Sequence, residues 1–332
     1  MAIKSSGSSL SFSEIEAEFG QNGGRSLGAY RLTQSVGSLS NLPLDSGIPT
    51  SGQIKFSDFY GKKLNVVVDC HSGGREDRKS AKGDKWNNNA VTVIGGFRTK
   101  KEGGSKIIIN VNKKFCSDKS NQINCALKTG SWDSTATVQV DVGSSGEVLG
   151  AGGDGGRGAD GINNNGQPGS PGTSALGIEH NGVTVNINGG VLRAGFGGGG
   201  GGGGGRQTDK RRDRRAGGGG GGGGAGCPAG NGGQGGDTGG GFGSGAGQPG
   251  GAGTETTGGG GGGGGNNAGQ AGGGSGGSGG QSSGNAGSGG NRNTSGGSGG
   301  GNGAAIRRTS GFSVTINNSG TIQGDQNATG VG

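Results

Sequence analysis

Apolar and polar residues alternate strictly in three places along this chain, and each time the same sequel follows. Residues 136–142 lead through Gly143 and Gly146 to Val148 and Leu149. Residues 182–188 lead through Gly189 and Gly190 to Val191 and Leu192, and residues 312–317 lead through Asn318 and Gly320 to Thr321 and Ile322. A period of two marks a strand with one buried face, and the Gly/Asn/Ser turn after each strand predicts a short β-hairpin. Segments 64–68, 90–94, 105–112 and 135–142 are rich in β-branched residues and separated by Gly, Asn and charged residues. With Trp86, Phe97, Phe115 and Trp132 for bulk, they predict a β-sandwich-like domain over residues 63–150. The charged stretch 75–85 reads as a solvated loop.

A different pattern opens the chain. Leu10, Phe12 and Glu14 recur as Ile54, Phe56 and Asp58, each an apolar strand end followed by a serine and an acid. Ser13 with Glu16 has capping-box spacing, so residues 13–19 are expected to form a short helix stopped by Gly20. Residues 57–60 read as a single turn stopped by Gly61, residues 26–31 as another, and Pro43 and Pro49 mark loops. Residues 1–62 are too few to bury much core of their own. They read as a module that folds against a partner or the next domain, with Phe12, Ile15, Phe19, Tyr30, Phe56, Phe59 and Tyr60 as docking candidates.

Composition changes the picture beyond residue 150. Of 97 glycines, 77 fall in residues 151–332, whereas ten of the thirteen aromatic residues precede residue 133; an ordinary hydrophobic core is therefore expected only in the first half. Three runs, 197–205, 217–224 and 258–265, are pure glycine. Such composition ordinarily means a flexible linker. Against that, non-glycine residues recur every third position: Asp154, Arg157 and Asp160; Asn231, Gln234 and Asp237; Ser275, Ser278 and Gln281; Ser295 and Ser298. A polyproline-II-type helix has three residues per turn, so this spacing puts every side chain on one face and leaves the others bare for close approach. Prolines are too few, and the period too broken, for a collagen triple helix. Residues 151–310 are thus expected to form a bundle of polyproline-II-type (polyglycine) helices with the pure runs in its interior. Short hairpins bound it, the last at 311–332, and the whole chain reads as mainly β. Glycine loses more freedom on ordering than any other residue, and one hydrogen bond returns little net stability. The bundle therefore requires nearly every N–H and C=O to be paired.

Candidate chemistry is sparse. The net charge is +8, and no apolar run approaches the ~20 residues of a membrane span, so no membrane insertion is expected. The start of the chain has no hydrophobic secretory segment, which reads as synthesis and assembly in a cytoplasm. A zinc set of Cys70, His71, Cys116 and Cys125 lacks any C-x-x-C pair. No metal and no cofactor is expected, and the cysteines read as partly buried thiols, with a Cys116–Cys125 disulfide across a hairpin as the alternative. His71 and His180 lie in no catalytic motif, Asp69 beside His71 reads as a polar pair at a strand end, and G-x-G-x-x-G recurs here through composition alone. No catalytic residue is assigned, and the chain reads as a non-enzyme. The densest charge is the stretch 206–215, in which Arg206, Lys210, Arg211, Arg212, Arg214 and Arg215 accompany Asp209 and Asp213. It reads as an exposed loop joining two glycine helices, either a solubilising cap or a contact for phosphate, sulfate or uronate groups. An arginine-rich RNA-binding arm is the remaining class. Its bases would be interleaved with aromatics, whereas these are clustered and no RNP motif is present, so no nucleic-acid partner is expected.

Three sequence words carry a resemblance: residues 12–20, residues 26–30, and residues 54–61 around Phe56-Ser57-Asp58-Phe59-Tyr60. They resemble the N-terminal module of many tail-associated proteins of tailed bacteriophages. Strand–turn segments such as 183–192, running straight into glycine tracts, are similar to the distal parts of phage tail-fibre and adhesin proteins. The resemblance implies a virion structural protein, a tail-fibre or tail-tip component contributing to host attachment. Residues 1–62 would dock on the virion, residues 63–150 form a platform and the glycine bundle project outward. It further implies other tail proteins as partners, a homo-oligomer (a trimer by analogy), assembly in the host cytoplasm and residence in the virion tail. In polyglycine-sandwich adhesins the loops joining stacked glycine helices touch the receptor. That makes Arg206, Lys210, Arg211, Arg212, Arg214 and Arg215 the contact candidates for a host surface glycan or protein. The N-terminal module and the extra β domain depart from those adhesins, which leaves a neck or collar fibre without receptor binding as the alternative.

Overall fold

The computed structural model describes residues 3–20, 26–36, 39–70, 76–77, 79–80, 90–91, 104–119, 121–161, 163–209, 212–238, 245–265 and 294–332. The alternating segments form strands where their pattern places them, but the three repeats do not close into hairpins. In each repeat the turn carries the chain out of one sheet into another, and each strand pairs in parallel with its counterpart in the next repeat. One sheet stacks Asn65–Cys70, Lys106–Val111, Thr137–Val142, Val183–Ile187 and Val314–Asn318 in that order, with Ala90–Val91 antiparallel at its edge. A second stacks Glu76–Asp77, Lys114–Cys116, Glu147–Leu149, Val191–Arg193 and Thr321–Gln323. A third stacks Lys79–Ser80, Cys125–Lys128, Ser174–Ile178, Ile306–Arg308 and Ala328–Thr329. The chain visits the three sheets in turn, winding after winding, and the molecule is mainly β, with parallel sheets layered in sandwich-like fashion around one interior.

Stacking explains why the parallel solution wins. A lone hairpin leaves one apolar face uncovered, whereas repeats in register bury the same column many times over. Val68, Ile109, Val140, Val185 and Ile316 form one such column, about 4.8 Å from strand to strand. Phe115, Val148, Leu192 and Ile322 form another. Gly189 makes one of the corners at φ +80°, a conformation that side chains rarely adopt. Two expectations are corrected by this winding. The polar stretch 75–85 supplies the opening strands of two sheets, and residues 311–332 add the last strand to all three sheets, where a separate hairpin was expected. Trp86 and Phe97 lie outside the described residues.

The N-terminal module has a core of its own, contrary to the expectation from its size. Ile3, Ile15, Phe19, Tyr30, Leu44, Ile48, Phe59 and Leu64 are buried together, and Phe19, Tyr30 and Phe59 meet edge-to-face at 5.6–6.2 Å. Its helix spans Phe12–Phe19 and is capped by Ser11, two residues before the expected Ser13. Starting at Phe12 lets that ring pack on Phe56 at 5.0 Å. Leu27–Tyr30 and Phe56–Phe59 are single 3-10 turns. The module is joined to the sheets through the Leu64 N–H, which donates to the buried Glu18 carboxylate at 2.8 Å, and the Asn65 N–H, which donates to the Leu44 carbonyl at 2.9 Å.

Residues 150–173 and 194–305 are insertions at the corner between the second and third sheets. Their described stretches 150–160, 166–173, 195–204, 217–226, 230–237, 246–253, 259–265 and 295–303 are almost wholly neither helical nor stranded. They are joined to one another by backbone hydrogen bonds at every third residue. Gly153, Gly156 and Ala159 donate to Phe196, Gly199 and Gly202 at 2.8–2.9 Å; Gly218, Gly221 and Gly224 donate to Ala159, Gly156 and Gly153 at 2.8–2.9 Å. The stretches run alternately away from the sheets and back, so strands Gly205–Asp209 and Arg212–Ala216 lie at the end farthest from them. Residues 197–205 and 217–224 are buried throughout. The third pure run is not wholly interior as expected: Gly260 and Gly261 are exposed, while Gly259, Gly262 and Gly265 are buried. Exposure recurs every third residue at Asn231, Gln234 and Asp237, and at Ser295, Ser298 and Gly301.

A disulfide joins Cys116 to Cys227, with Cα atoms 5.2 Å apart, and Cys70 and Cys125 are buried free thiols. The Cys116–Cys125 alternative fails because Cys116 is bonded to Cys227 and Cys125 lies in another sheet as a free thiol. The bond also removes Cys116 from the zinc set weighed above.

Candidate functional site

The stretch 206–215, expected as a loop, holds parts of two antiparallel strands. Gly205–Asp209 pairs with Arg212–Ala216, with Arg206 opposite Arg215, Gln207 opposite Arg214 and Thr208 opposite Asp213. Period-two alternation then puts Arg206, Asp213 and Arg215 on one face. The Asp213 carboxylate accepts from Arg206 Nε at 3.0 Å and from Arg215 Nη2 at 2.9 Å and Nε at 3.1 Å. The Arg215 bonds, then those of Arg206, hold its pKa below the ordinary carboxylate value. Two of the six candidate bases are therefore clasped on an acid. Arg212 lies opposite Asp209 in the register and Arg214 is half-buried, while Lys210 and Arg211 lie outside the described residues. Sequence reasoning missed the clasp, although alternation of Arg206, Thr208, Asp213 and Arg215 about a short turn was the signal available for it.

The N-terminal docking candidates divide by burial. Ile15, Phe19, Tyr30 and Phe59 are wholly inside the module's core. Tyr30 donates its hydroxyl to the Gly20 carbonyl at 2.9 Å, and burial, then the nearby Glu16, pushes its pKa up to about 12. Phe12, Phe56 and Tyr60 are half-buried and are what the module presents outward; the Tyr60 hydroxyl donates to the Ser8 carbonyl.

Elsewhere the titratable groups are structural. His180 is buried with Nε2 3.2 Å from the Ala136 carbonyl oxygen. Burial, then the adjacent Asp69 charge, pushes the Cys70 thiol well above its ordinary pKa, which keeps it unreactive; His71 lies outside the described residues. Lys114 bridges Glu147 at 2.9 Å and Glu255 at 3.0 Å, and Lys119 meets Asp154 at 2.8 Å, so ion pairs join the sheets to the glycine stretches. Among the described residues no group of three or more His, Cys, Asp or Glu could hold a metal ion, and no helix is long and apolar enough to cross a membrane.

No protein-family model matches the chain, and no curated protein matches it in sequence. Among solved structures, the gp37-gp38 adhesin tip complex of the bacteriophage S16 long tail fiber is similar over 83% of this chain and 88% of that chain, at 22% identity and a TM-score of 0.35, a distant and partial match.

Proposed function

We propose that this chain is a non-enzymatic structural component of a phage virion, a tail-fibre or tail-tip protein that contributes to host attachment. The observation that supports it is the hydrogen bonding of the glycine stretches at every third residue, which leaves the hairpin 205–216 at the end remote from the sheets. In this reading the stretches are polyproline-II-type glycine helices packed side by side. They form a rigid, chemically inert body with recognition confined to the segments that join them. Arg206, Lys210, Arg211, Arg212, Arg214 and Arg215 are the receptor-contact candidates, for a surface glycan or protein. The N-terminal module docks on other tail proteins through Phe12, Phe56 and Tyr60, in a homo-oligomer.

The Asp213 clasp favours a second reading, a neck or collar fibre without receptor binding, because it lowers the charge the hairpin offers to an anion. Antibody labelling of virions in the electron microscope separates the two, with purified protein tested as a competitor of infection. Label at the tail end together with competition is expected. Label at the head or neck would overturn attachment and retain the virion assignment.

A further inference from the structure

Where the glycine stretches rejoin the sheets, a cleft of about 580 Å³ opens between segments far apart in sequence; Gln122, Phe196, Asn302, Arg307, Gln323 and Asp325 are among the residues lining it. Its size is that of a small-molecule site. Arg307 is its unusual member, because it is only 8% exposed and its hydrogen bonds all go to neutral oxygens. Nε donates to Ser174 Oγ at 3.0 Å, and Nη1 donates to the Thr329 carbonyl at 2.6 Å and the Gly330 carbonyl at 3.4 Å. Nη2 takes part in none of these bonds. A guanidinium keeps its charge in any surroundings, and a charge withdrawn from water calls for a counter-charge. Three bonds fix this one in place before any ligand arrives.

The rest of the lining is suited to hydroxyl groups. Asn302 accepts the Gly197 N–H on Oδ1 at 3.2 Å, which turns its amide donors away from that bond. Gln122 donates to the Asn302 carbonyl, which leaves its own amide oxygen as an acceptor. Asp325 is exposed, and its Oδ1 accepts the Asn327 N–H at 2.8 Å, which orients the carboxylate. A simple anion would satisfy Arg307 and be repelled by Asp325. A ligand with one carboxylate and several separate hydroxyls satisfies both.

We infer that this cleft binds an acidic saccharide of the uronate type, its carboxylate on the Arg307 guanidinium and its ring hydroxyls on Asp325, Asn302 and Gln122. The assignment rests on the chemistry of the cleft and is independent of the virion reading, so labelling and infection assays leave it untouched.

The test is calorimetric titration of the purified full chain with glucuronate, glucose, acetate and inorganic phosphate. Glucuronate should bind about tenfold or more tightly than glucose or acetate, since one charge-assisted pair is worth that ratio. Arg307→Gln should abolish the preference. If that variant does not fold, Asp325→Ala, at an exposed position, should weaken glucuronate and strengthen acetate, which the lost carboxylate no longer repels. Equal binding of glucose and glucuronate, equal binding of phosphate and glucuronate, or no binding by the wild-type chain would each overturn the proposal.

Discussion

A glycine in this molecule matters through the space its missing Cβ leaves. A Cβ on Gly221 would lie 2.0 Å from the Gly199 carbonyl oxygen, and one on Gly198 would lie 2.1 Å from that of Asp154. Both contacts are with backbone, which cannot swing aside as a side chain can. On Gly260 a Cβ would meet nothing within 4 Å. Gly221→Ala should therefore destabilise by about 1–3 kcal/mol, the usual cost of overpacking. Gly260→Ala should stay within about 0.5 kcal/mol of wild type, as an open surface change does. Urea unfolding midpoints measure both, and equal midpoints for the two variants would show that the glycine stretches are not close-packed. The same attention to single positions explains the outer face of the first sheet. Asp69, Asn110, Asp141, Asn186 and Asn317 stand in register, and Asn186 donates to Asp141 at 2.7 Å while Asn317 donates to Asn186 at 2.8 Å. An amide separates the two acids, so no like charges sit side by side.

Helix Phe12–Phe19 shows how much of an element is local. Ser11 and Glu14 exchange hydrogen bonds across its first turn, Ser11 N–H to the Glu14 carboxylate at 2.8 Å and Glu14 N–H to Ser11 Oγ at 3.3 Å. Lys4, then the Ser11 backbone N–H, draws the Glu14 pKa down from 4.5 to about 2. Because the folded value lies below the unfolded one, this contribution to stability is present above about pH 4.5 and disappears as pH falls toward 2. Glu14→Gln should flatten the melting temperature of the module across that window. Ser11→Ala should cost about 1 kcal/mol at every pH. A Glu14→Gln curve that still falls with wild-type slope would mean that the acid response arises elsewhere. The capping-box signal was legible in the sequence, but the choice between Ser11 and Ser13 was not, since both precede an acid at the right spacing. It was settled by Phe56, 44 residues away, against which Phe12 packs. The hairpin prediction failed for a related reason. A strand, a glycine turn and a second strand describe a hairpin and a corner of a winding equally well, and the threefold recurrence of the unit was the clue to stacking.

At the scale of the whole molecule, side chains help tie the glycine stretches to the sheets. Lys114 with Glu255, Lys119 with Asp154 and the Cys116–Cys227 bond cross between them. The disulfide closes a loop of 111 residues, and constraining a loop of that order in the unfolded chain stabilises the folded one by roughly 2–4 kcal/mol. Cys116→Ser or Cys227→Ser should lower the unfolding free energy by that amount, and reductant should do the same to the wild-type chain only. Unfolding with and without reductant, with alkylation and mass measurement to count thiols, checks it. Identical midpoints would rule out the tie.

The apolar core was expected in the first half alone, but Leu176, Val185, Leu192 and Ile306 belong to it as well. Sequence by itself determined where the alternating strands of the repeats lie and that a capped helix opens near residue 12. These follow from alternation and spacing, properties of neighbours along the chain. Only the tertiary structure decided that the strands stack in parallel, that Cys116 meets Cys227, that Asp213 clasps two of the six bases, and that Arg307 comes to rest buried beside a cleft. Each of those depends on which distant segment arrives alongside. Backbone hydrogen bonds favour any well-aligned partner, so the choice among partners is made by the packing of the whole molecule.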